Sequence, residues 1–250
     1  MAKPKKKWGQ NFLRNRGAVE KIVAAVEPQP GEVVLEIGPG EGVLTAKLLA
    51  LGNPFQAIEI DPELAETLRG KYGDVIVEGD ALELPLPDRP FRAVGNLPYN
   101  VGTPILRRVV ADPNFRRAVF MLQKEVAERL VAKPADEAYG YLTLYVAMFA
   151  KAKTLMTLEP KSFYPPPKVR SAVVVLEPDR KPYASEALIE LVSTSFRMRR
   201  KQLVNNLIGW RDLTRDSVTA ALRAAEIDEN ARAETLGLPE FERLRQALGV

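Results

Sequence analysis

The first half of this chain alternates short apolar runs with helix-patterned stretches, and that alternation restricts the fold more than any other feature. Val33-Val34-Leu35-Glu36-Ile37 is apolar at four of its five positions and ends at glycines. Residues 42–51 then carry helical spacing, 55–60 form the next strand, and Pro62 stands where the first turn of a helix tolerates proline. Runs at 75–77, 93–94 and 118–122 continue the series, with helices expected near 63–70, 102–111 and 124–132. Strands this continuously apolar belong in a parallel sheet covered by helices on both faces. After a helix near 140–149, two further strands at 153–158 and 171–176 flank a Pro-rich loop, which predicts an antiparallel hairpin. The expected class is α/β with a Rossmann-like sheet.

A break follows at Glu177-Pro178-Asp179-Arg180-Lys181-Pro182, and beyond it the pattern is purely helical, at about 186–208, 215–225 and 239–248. With 250 residues, one large domain and one small one fit; the boundaries expected are 1–180 and 181–250. Val192, Phe196, Leu203 and Leu207 share one stripe of the first of these helices, and Arg197, Arg199, Arg200 and Lys201 flank or oppose it. This predicts a small helical domain with a basic outer face.

The sequence holds no Cys and no His. That excludes disulfides, thiol nucleophiles, His-based triads and His-ligated zinc, and no metal site is expected. The net charge of +4 conceals two clusters. Residues 1–19 carry Lys3, Lys5, Lys6, Lys7, Arg14 and Arg16 without an acid, and residues 195–215 carry six basic groups against Asp212 alone. Clustering of one sign points to a polyanionic partner. Arg107, Arg108, Arg116, Arg117, Lys168 and Arg170 are further phosphate-contact candidates. No apolar run approaches the roughly 20 residues that span a bilayer, and no apolar leader follows the basic N-terminus. A soluble, cytoplasmic protein is expected.

Glu36-Ile37-Gly38-Pro39-Gly40-Glu41-Gly42 follows the first strand and opens a helix, where glycines let the backbone turn tightly beside a ligand. Glu59 ends the second strand, placed to bind ribose hydroxyls, and Asp80, with Ala81, follows the third, placed to accept from an adenine amine. The G-x-G-x-G spacing departs from the pyrophosphate-binding pattern, and Glu36 and Glu41 would repel a diphosphate. A cofactor without phosphate and with a cationic tail fits better, and S-adenosylmethionine has that chemistry. Packing alone is the ordinary use of one such turn; three acidic or glycine features at successive strand ends favour a cofactor.

Asn96-Leu97-Pro98-Tyr99 ends the fourth strand. The exocyclic amine of adenine is a poor nucleophile because its lone pair is delocalised into the ring. The Asn96 side-chain oxygen and the Leu97 or Pro98 carbonyl can accept its two N–H bonds and localise that lone pair, while Tyr99 stacks on the base. The same tetrapeptide also suits an ordinary turn.

Taken in order, several segments resemble one family: Gly9-Gln10-Asn11-Phe12-Leu13, the Glu36–Thr45 loop, Glu59-Ile60-Asp61, Gly79-Asp80-Ala81, Asn96-Leu97-Pro98-Tyr99-Asn100, Gln123 to Arg129, and Phe163 with Pro165-Pro166-Pro167-Lys168-Val169. The chain resembles the ribosomal RNA adenine-N6,N6-dimethyltransferases of the small-subunit (KsgA) type. The resemblance implies a seven-stranded class I methyltransferase sheet with a small helical domain. It also implies S-adenosylmethionine as cofactor and two methyl transfers to each of two adjacent adenosines near the 3′ end of small-subunit (16S) rRNA. The implied setting is a partly assembled 30S subunit, met by a monomer. By position it assigns Gln10, Asn11, Leu13, Glu36, Gly38, Gly40, Glu59, Ile60, Asp80, Ala81 and Asn96 to the cofactor. Asn96, Leu97, Pro98 and Tyr99 fall in the catalytic loop, and Phe163, read as a loop residue, closes over the other face of the target base. Arg197, Arg199, Arg200 and Lys201 fall in the family's RNA-binding helix, although Arg197 and Glu41 depart from its pattern. Two other readings share these motifs, a large-subunit (23S) adenine methylase and a non-catalytic RNA-binding assembly factor. A nicotinamide oxidoreductase is disfavoured by the glycine spacing.

Overall fold

The computed structural model describes residues 4, 5 and 8–250, so Lys3, Lys6 and Lys7 of the basic N-terminus lie outside the described residues. The chain forms two compact units, one of residues 1–127 with 152–178 and one of 128–151 with 179–250. The single cut expected at residue 180 therefore misses an excursion, since residues 128–151 belong with the helical unit. The cause is α6 (Tyr141–Phe149), apolar on nearly every face, which packs against the helices α7 (Glu186–Ser195) and α10 (Leu238–Leu248).

The first unit is built on a seven-stranded sheet. Its strands are β2 (Val33–Ile37), β3 (Phe55–Glu59), β4 (Ile76–Glu78), β5 (Phe91–Asn96), β6 (Phe115–Gln123), β7 (Ala150–Leu158) and β9 (Ser171–Pro178), in the order β4-β3-β2-β5-β6-β9-β7. The five from β4 to β6 are parallel, β9 runs antiparallel to β6, and β7 closes the edge as the expected hairpin partner. All five residues of β2 are buried, as its apolar run requires. A separate two-stranded ribbon, β1 (Phe12–Leu13) with β8 (Phe163–Tyr164), joins segments some 150 residues apart. Helices α1 (Arg16–Val26), α2 (Thr45–Leu49), α3 (Pro62–Tyr72) and α4 (Gly102–Ala111) complete this unit, and α5 (Lys124–Val131) begins in it. Helix α3 starts as expected, with Pro62 in its first turn behind the Asp61 N-cap.

One topological fact places the site. β2 pairs with β3 on one edge and with β5 on the other. The connections leaving the carboxyl ends of β2 and β5 therefore diverge, which opens a crevice there. Gly95 lets the two strands meet closely at that end, because a Cβ on it would collide with the Ile37 carbonyl oxygen.

Glu36, inside β2, is 1% exposed. Burial pushes its pKa up to about 8, with the Glu59 charge adding to the shift and the hydrogen bond donated by Thr45 Oγ1 at 2.7 Å opposing it. At neutral pH this carboxyl is largely protonated.

In the second unit the long helix expected over 186–208 is two helices, α7 (Glu186–Ser195) and α8 (Leu203–Leu207), separated by a turn. The stripe residues Val192, Leu203 and Leu207 are nonetheless buried, with Leu188, Val218, Leu222, Phe241 and Leu244. The break is held by Asn206, 5% exposed, whose amide donates to the Ser195 carbonyl at 2.8 Å and accepts from the Met198 amide at 3.1 Å. It satisfies a helix-end carbonyl that would otherwise be orphaned. Helices α9 (Arg215–Ala224) and α10 fall close to their expected limits. Among the described residues no helix is long and apolar enough to cross a membrane.

Two outcomes follow from these buried polar groups. Between the unfolded value near 4.5 and the folded value near 8, native Glu36 retains a proton that the unfolded chain has lost, so its contribution falls as pH rises through that window. Urea unfolding of Glu36→Gln at pH 5, 6.5 and 8 should show the variant gaining on the wild type by a few kcal/mol across the range; parallel curves would contradict the buried, protonated state. Asn206→Ala should cost about 2–3 kcal/mol, because buried partners lose their hydrogen bonds. Calorimetry would register this as a melting temperature lower by roughly 5–10 °C.

Candidate active site

The carboxyl ends of β2, β3 and β5 line an open cleft. Its wall comprises Trp8, Gly9, Gln10, Asn11, Phe12, Gly38, Gly40, Glu59, Ile60 and the run Asn96 to Tyr99. The glycine loop after β2 turns through positive φ at Gly38, Gly40 and Gly42 (68°, 59° and 79°). At Gly40 the need is also steric, since a Cβ would sit 3.1 Å from the Phe12 ring. Each loop glycine amide already has an acceptor. Gly38 donates to the Ile58 carbonyl, Gly40 to Glu59 Oε2 and Gly42 to the Pro39 carbonyl, each at 2.9 Å.

Glu59 is 4% exposed, and its other oxygen accepts from the Asp61 amide at 3.0 Å. Burial pushes its pKa up, against those two amide hydrogen bonds, which hold it down. A carboxylate offers about four lone-pair sites, more than the backbone amides of Gly40, Asp61 and Ile60 take, so a ribose hydroxyl can still be bound there. Glu41, expected to add a repelling charge, is instead paired with Arg14 at 2.7 Å. With Glu36 largely neutral and Glu41 paired, the expected electrostatic reason for rejecting a diphosphate is corrected. What stands against a diphosphate is that the three glycine amides are already bonded to internal acceptors.

At the end of β5, Asn96 Nδ2 donates to the Asn11 carbonyl at 2.7 Å. With the nitrogen committed, the side-chain oxygen is the end left to accept. The Pro98 carbonyl takes the Val101 and Gly102 amides at 3.2 and 2.7 Å, where α4 begins. It is therefore excluded as the second acceptor, and the Leu97 carbonyl remains. Leu97 itself is 1% exposed, and its amide donates to the Met121 carbonyl at 3.1 Å, which fixes the loop to β6. Tyr99 Oη and Ser171 Oγ lie 2.8 Å apart, and burial raises the phenol pKa despite that hydrogen bond. The ring is thus oriented and protonated, suited to stacking and not to proton abstraction.

Other expected residues stand off the wall. Leu13 is buried in β1, and Glu36 lies beneath the glycine loop. Ala81 is 7% exposed, while Asp80 Oδ1 accepts from the Leu82 amide at 2.8 Å, capping the turn after β4. Phe163 is corrected: it is 4% exposed and packs in the core with Leu13, Val19, Ile22 and Val173, because β8 pairs with β1 and turns its ring inward. The exposed neighbour is Tyr164, with the Arg14 guanidinium 5.9 Å from its ring centre. Arg116 and Arg117 are engaged locally, Arg117 with Glu177 at 2.6 Å and Glu27 at 2.9 Å. Arg197, Arg199, Arg200 and Lys201 lie in the turn after α7, not on a helix face. Arg199 donates to the carbonyls of Glu137 and Tyr139 at 2.8 and 2.9 Å, whereas Arg197, Arg200 and Lys201 stay exposed.

Sequence reasoning missed Trp8, Gly9, Phe12 and Ser171. Only the resemblance drew attention to the segment holding Gly9 and Phe12, and Trp8 and Ser171 gave no signal. Asp61 stood in the Glu59-Ile60-Asp61 segment of the resemblance, but nothing in the sequence marked it as the N-cap of α3 or as a partner of Gln10.

The wall suits S-adenosylmethionine, since it offers a carboxylate for ribose, side-chain-free loop positions, and amides closed to phosphate. The comparisons agree. The family model for ribosomal RNA adenine dimethylase matches residues 1–247. A ribosomal RNA small subunit methyltransferase A from Synechococcus sp. (strain JA-3-3Ab) is 42% identical over 264 residues, 99% of this chain and 94% of that one. The protein of the same description from Methylococcus capsulatus is 42% identical over 258 residues, 98% of each chain. Among solved structures, a dimethyladenosine transferase from Plasmodium falciparum has a TM-score of 0.81 at 28% identity, covering 93% of this chain and 95% of that one. The 23S rRNA methyltransferase ErmE has a TM-score of 0.71 at 29% identity, covering 96% and 100%. A match along nearly the whole length, on a sheet that carries the motif residues to one crevice, leaves one conclusion: the chain belongs to the ribosomal RNA adenine dimethylase family.

Proposed function

We propose that this enzyme transfers methyl groups to the N6 amines of two adjacent adenosines near the 3′ end of 16S rRNA. The observation that carries the chemistry is the Asn96 amide, held by the Asn11 carbonyl so that its oxygen is presented as an acceptor. The cofactor is S-adenosylmethionine, which when bound supplies an electrophilic methyl group. Gly38, Gly40, Glu59 and Ile60 would hold it along the β2 and β3 ends. Asn96 and the Leu97 carbonyl accept the two N–H bonds of a flipped adenine and draw its nitrogen toward tetrahedral geometry. Tyr99, fixed by Ser171, stacks on the ring and restores part of the stacking lost from the RNA. Once the amine nitrogen gains its fourth bond its proton is acidic and passes to water, so a chain without His needs no general base.

The RNA is met by phosphate contacts, and the exposed turn residues Arg197, Arg200 and Lys201 of the helical unit are the group best placed to make them. A partly assembled 30S subunit, a cytoplasmic setting and action as a monomer complete this reading. The second reading is a 23S substrate, favoured by the likeness to ErmE. Identity of 42% to small-subunit enzymes, against 29% to ErmE, supports the first.

Incubation with S-adenosylmethionine and unmodified 30S subunits, followed by reverse-transcription mapping, should place the methyl groups on two neighbouring adenosines. Stops on 23S rRNA instead would reverse the choice of substrate. Asn96→Ala should lower the turnover number on the order of 10²- to 10³-fold, the loss expected when one preorganised polar group is removed; undiminished incorporation would contradict its role. Charge reversal to Glu at Arg197, Arg200 and Lys201 should weaken binding to the subunit while leaving donor binding intact. It should also flatten the salt dependence by about two to three contacts. Arg199 is kept in that test, because its loss would unfasten the Glu137 and Tyr139 carbonyls.

A further inference from the structure

Asp61 is 1% exposed and takes no part in the chemistry above, yet three donors converge on it. The Glu63 amide reaches it at 3.2 Å, the N-cap contact of α3. Lys5 Nζ lies 2.8 Å away and Gln10 Nε2 2.9 Å away, and neither is local, because both come from the N-terminal part of the chain, of which residues 8–12 line the cleft. That segment is fixed at every step beyond Gln10. The Asn11 carbonyl holds Asn96, and the Phe12 ring lies over Gly40. Arg14 pairs with Glu41 at 2.7 Å, and its amide donates to the Ser162 carbonyl at 2.7 Å. The far end is therefore secured by the ribbon and the ion pair, and the near end by Asp61.

A helix cap needs one oxygen. The second oxygen of this buried carboxylate is spent on the Gln10 side chain. We propose that Asp61 is a positioning residue for the methyl donor: through Gln10 it pins residues 9–12 against the glycine loop, and so sets both the affinity for S-adenosylmethionine and the aim of Asn96. This rests on the assignment of the cleft as the donor site. A wall left unpinned would have to be ordered by the donor itself, and that cost would appear as weaker binding.

Exchanging donor and acceptor tests it. Asp61→Asn keeps an oxygen for the α3 cap but turns an N–H toward the Gln10 N–H. Gln10→Glu sets two carboxylates face to face. The double variant restores a donor–acceptor pair in reverse. Titration calorimetry with S-adenosylmethionine should show Kd raised about tenfold in each single variant, the scale of one hydrogen bond to a charged group. The double variant should return to within roughly threefold of wild type. A purely structural Asp61 would lower the melting temperature and leave Kd unchanged, which would overturn the proposal. So would a double variant that binds no tighter than the weaker single. Failure of the wild type itself to bind the donor would instead remove the cleft assignment, and this proposal with it.

Discussion

An amide can polarise a substrate amine only if its oxygen faces the substrate, and nothing intrinsic to asparagine decides which end does. Here the decision is made by the hydrogen bond from Asn96 Nδ2 to the Asn11 carbonyl. The bond depends in turn on the path of the N-terminal segment, which the ribbon with β8, the Arg14–Glu41 pair and the Asp61 carboxylate hold against the crevice it lines. The crevice exists because β2 and β5 are neighbours whose onward connections diverge. Sheet topology, strap and amide thus form one chain of dependence, and removing the strap would leave the motif present but unaimed.

Three carboxyl groups around this crevice show how position sets charge. Glu36 is enclosed in β2 with one hydroxyl donor, and burial keeps its proton up to about pH 8. Glu59 is also pushed up by burial, yet backbone amides from Gly40 and Asp61 hold it down. For Asp61 burial pulls upward too, and Lys5, Gln10 and the Glu63 amide together bring its pKa below the ordinary value. Two residues of the same type, Glu36 and Glu59, therefore do different work. The first fills space beneath the loop as a neutral group, while the second shapes the loop by accepting its amide and still faces the cleft.

Much of this was readable in advance because the features concerned are local. Four apolar residues in the five of β2, proline at the start of α3 and the Asn96–Tyr99 run each declare themselves within a few positions. What stayed hidden depends on contacts distant in sequence. The ribbon pairs two-residue strands with no periodic signal, and that pairing buries Phe163, which its Pro-rich surroundings made look like loop. The break between α7 and α8 was masked for a different reason. Val192, Phe196, Leu203 and Leu207 stay in phase with one continuous helix, so the pattern could not show that Asn206 ends it. The basic residues consequently sit in a turn, where one of the four is occupied by neighbouring carbonyls.

The glycine loop shows why spacing alone is an incomplete guide to the cofactor. Phosphate-binding loops work by aiming unpaired backbone N–H groups at the anion. In this loop the Gly38, Gly40 and Gly42 amides are each bonded to an internal acceptor, one of them a carboxylate. A diphosphate would have to displace Glu59 to gain the Gly40 donor, and would then face the charge it displaced. A donor joined to its adenosine through sulfur has no such requirement, and it profits from the same carboxylate through its ribose. The acid at the end of β3 therefore selects twice, by what it binds and by which amide it occupies, and the second selection is visible only once the loop is folded.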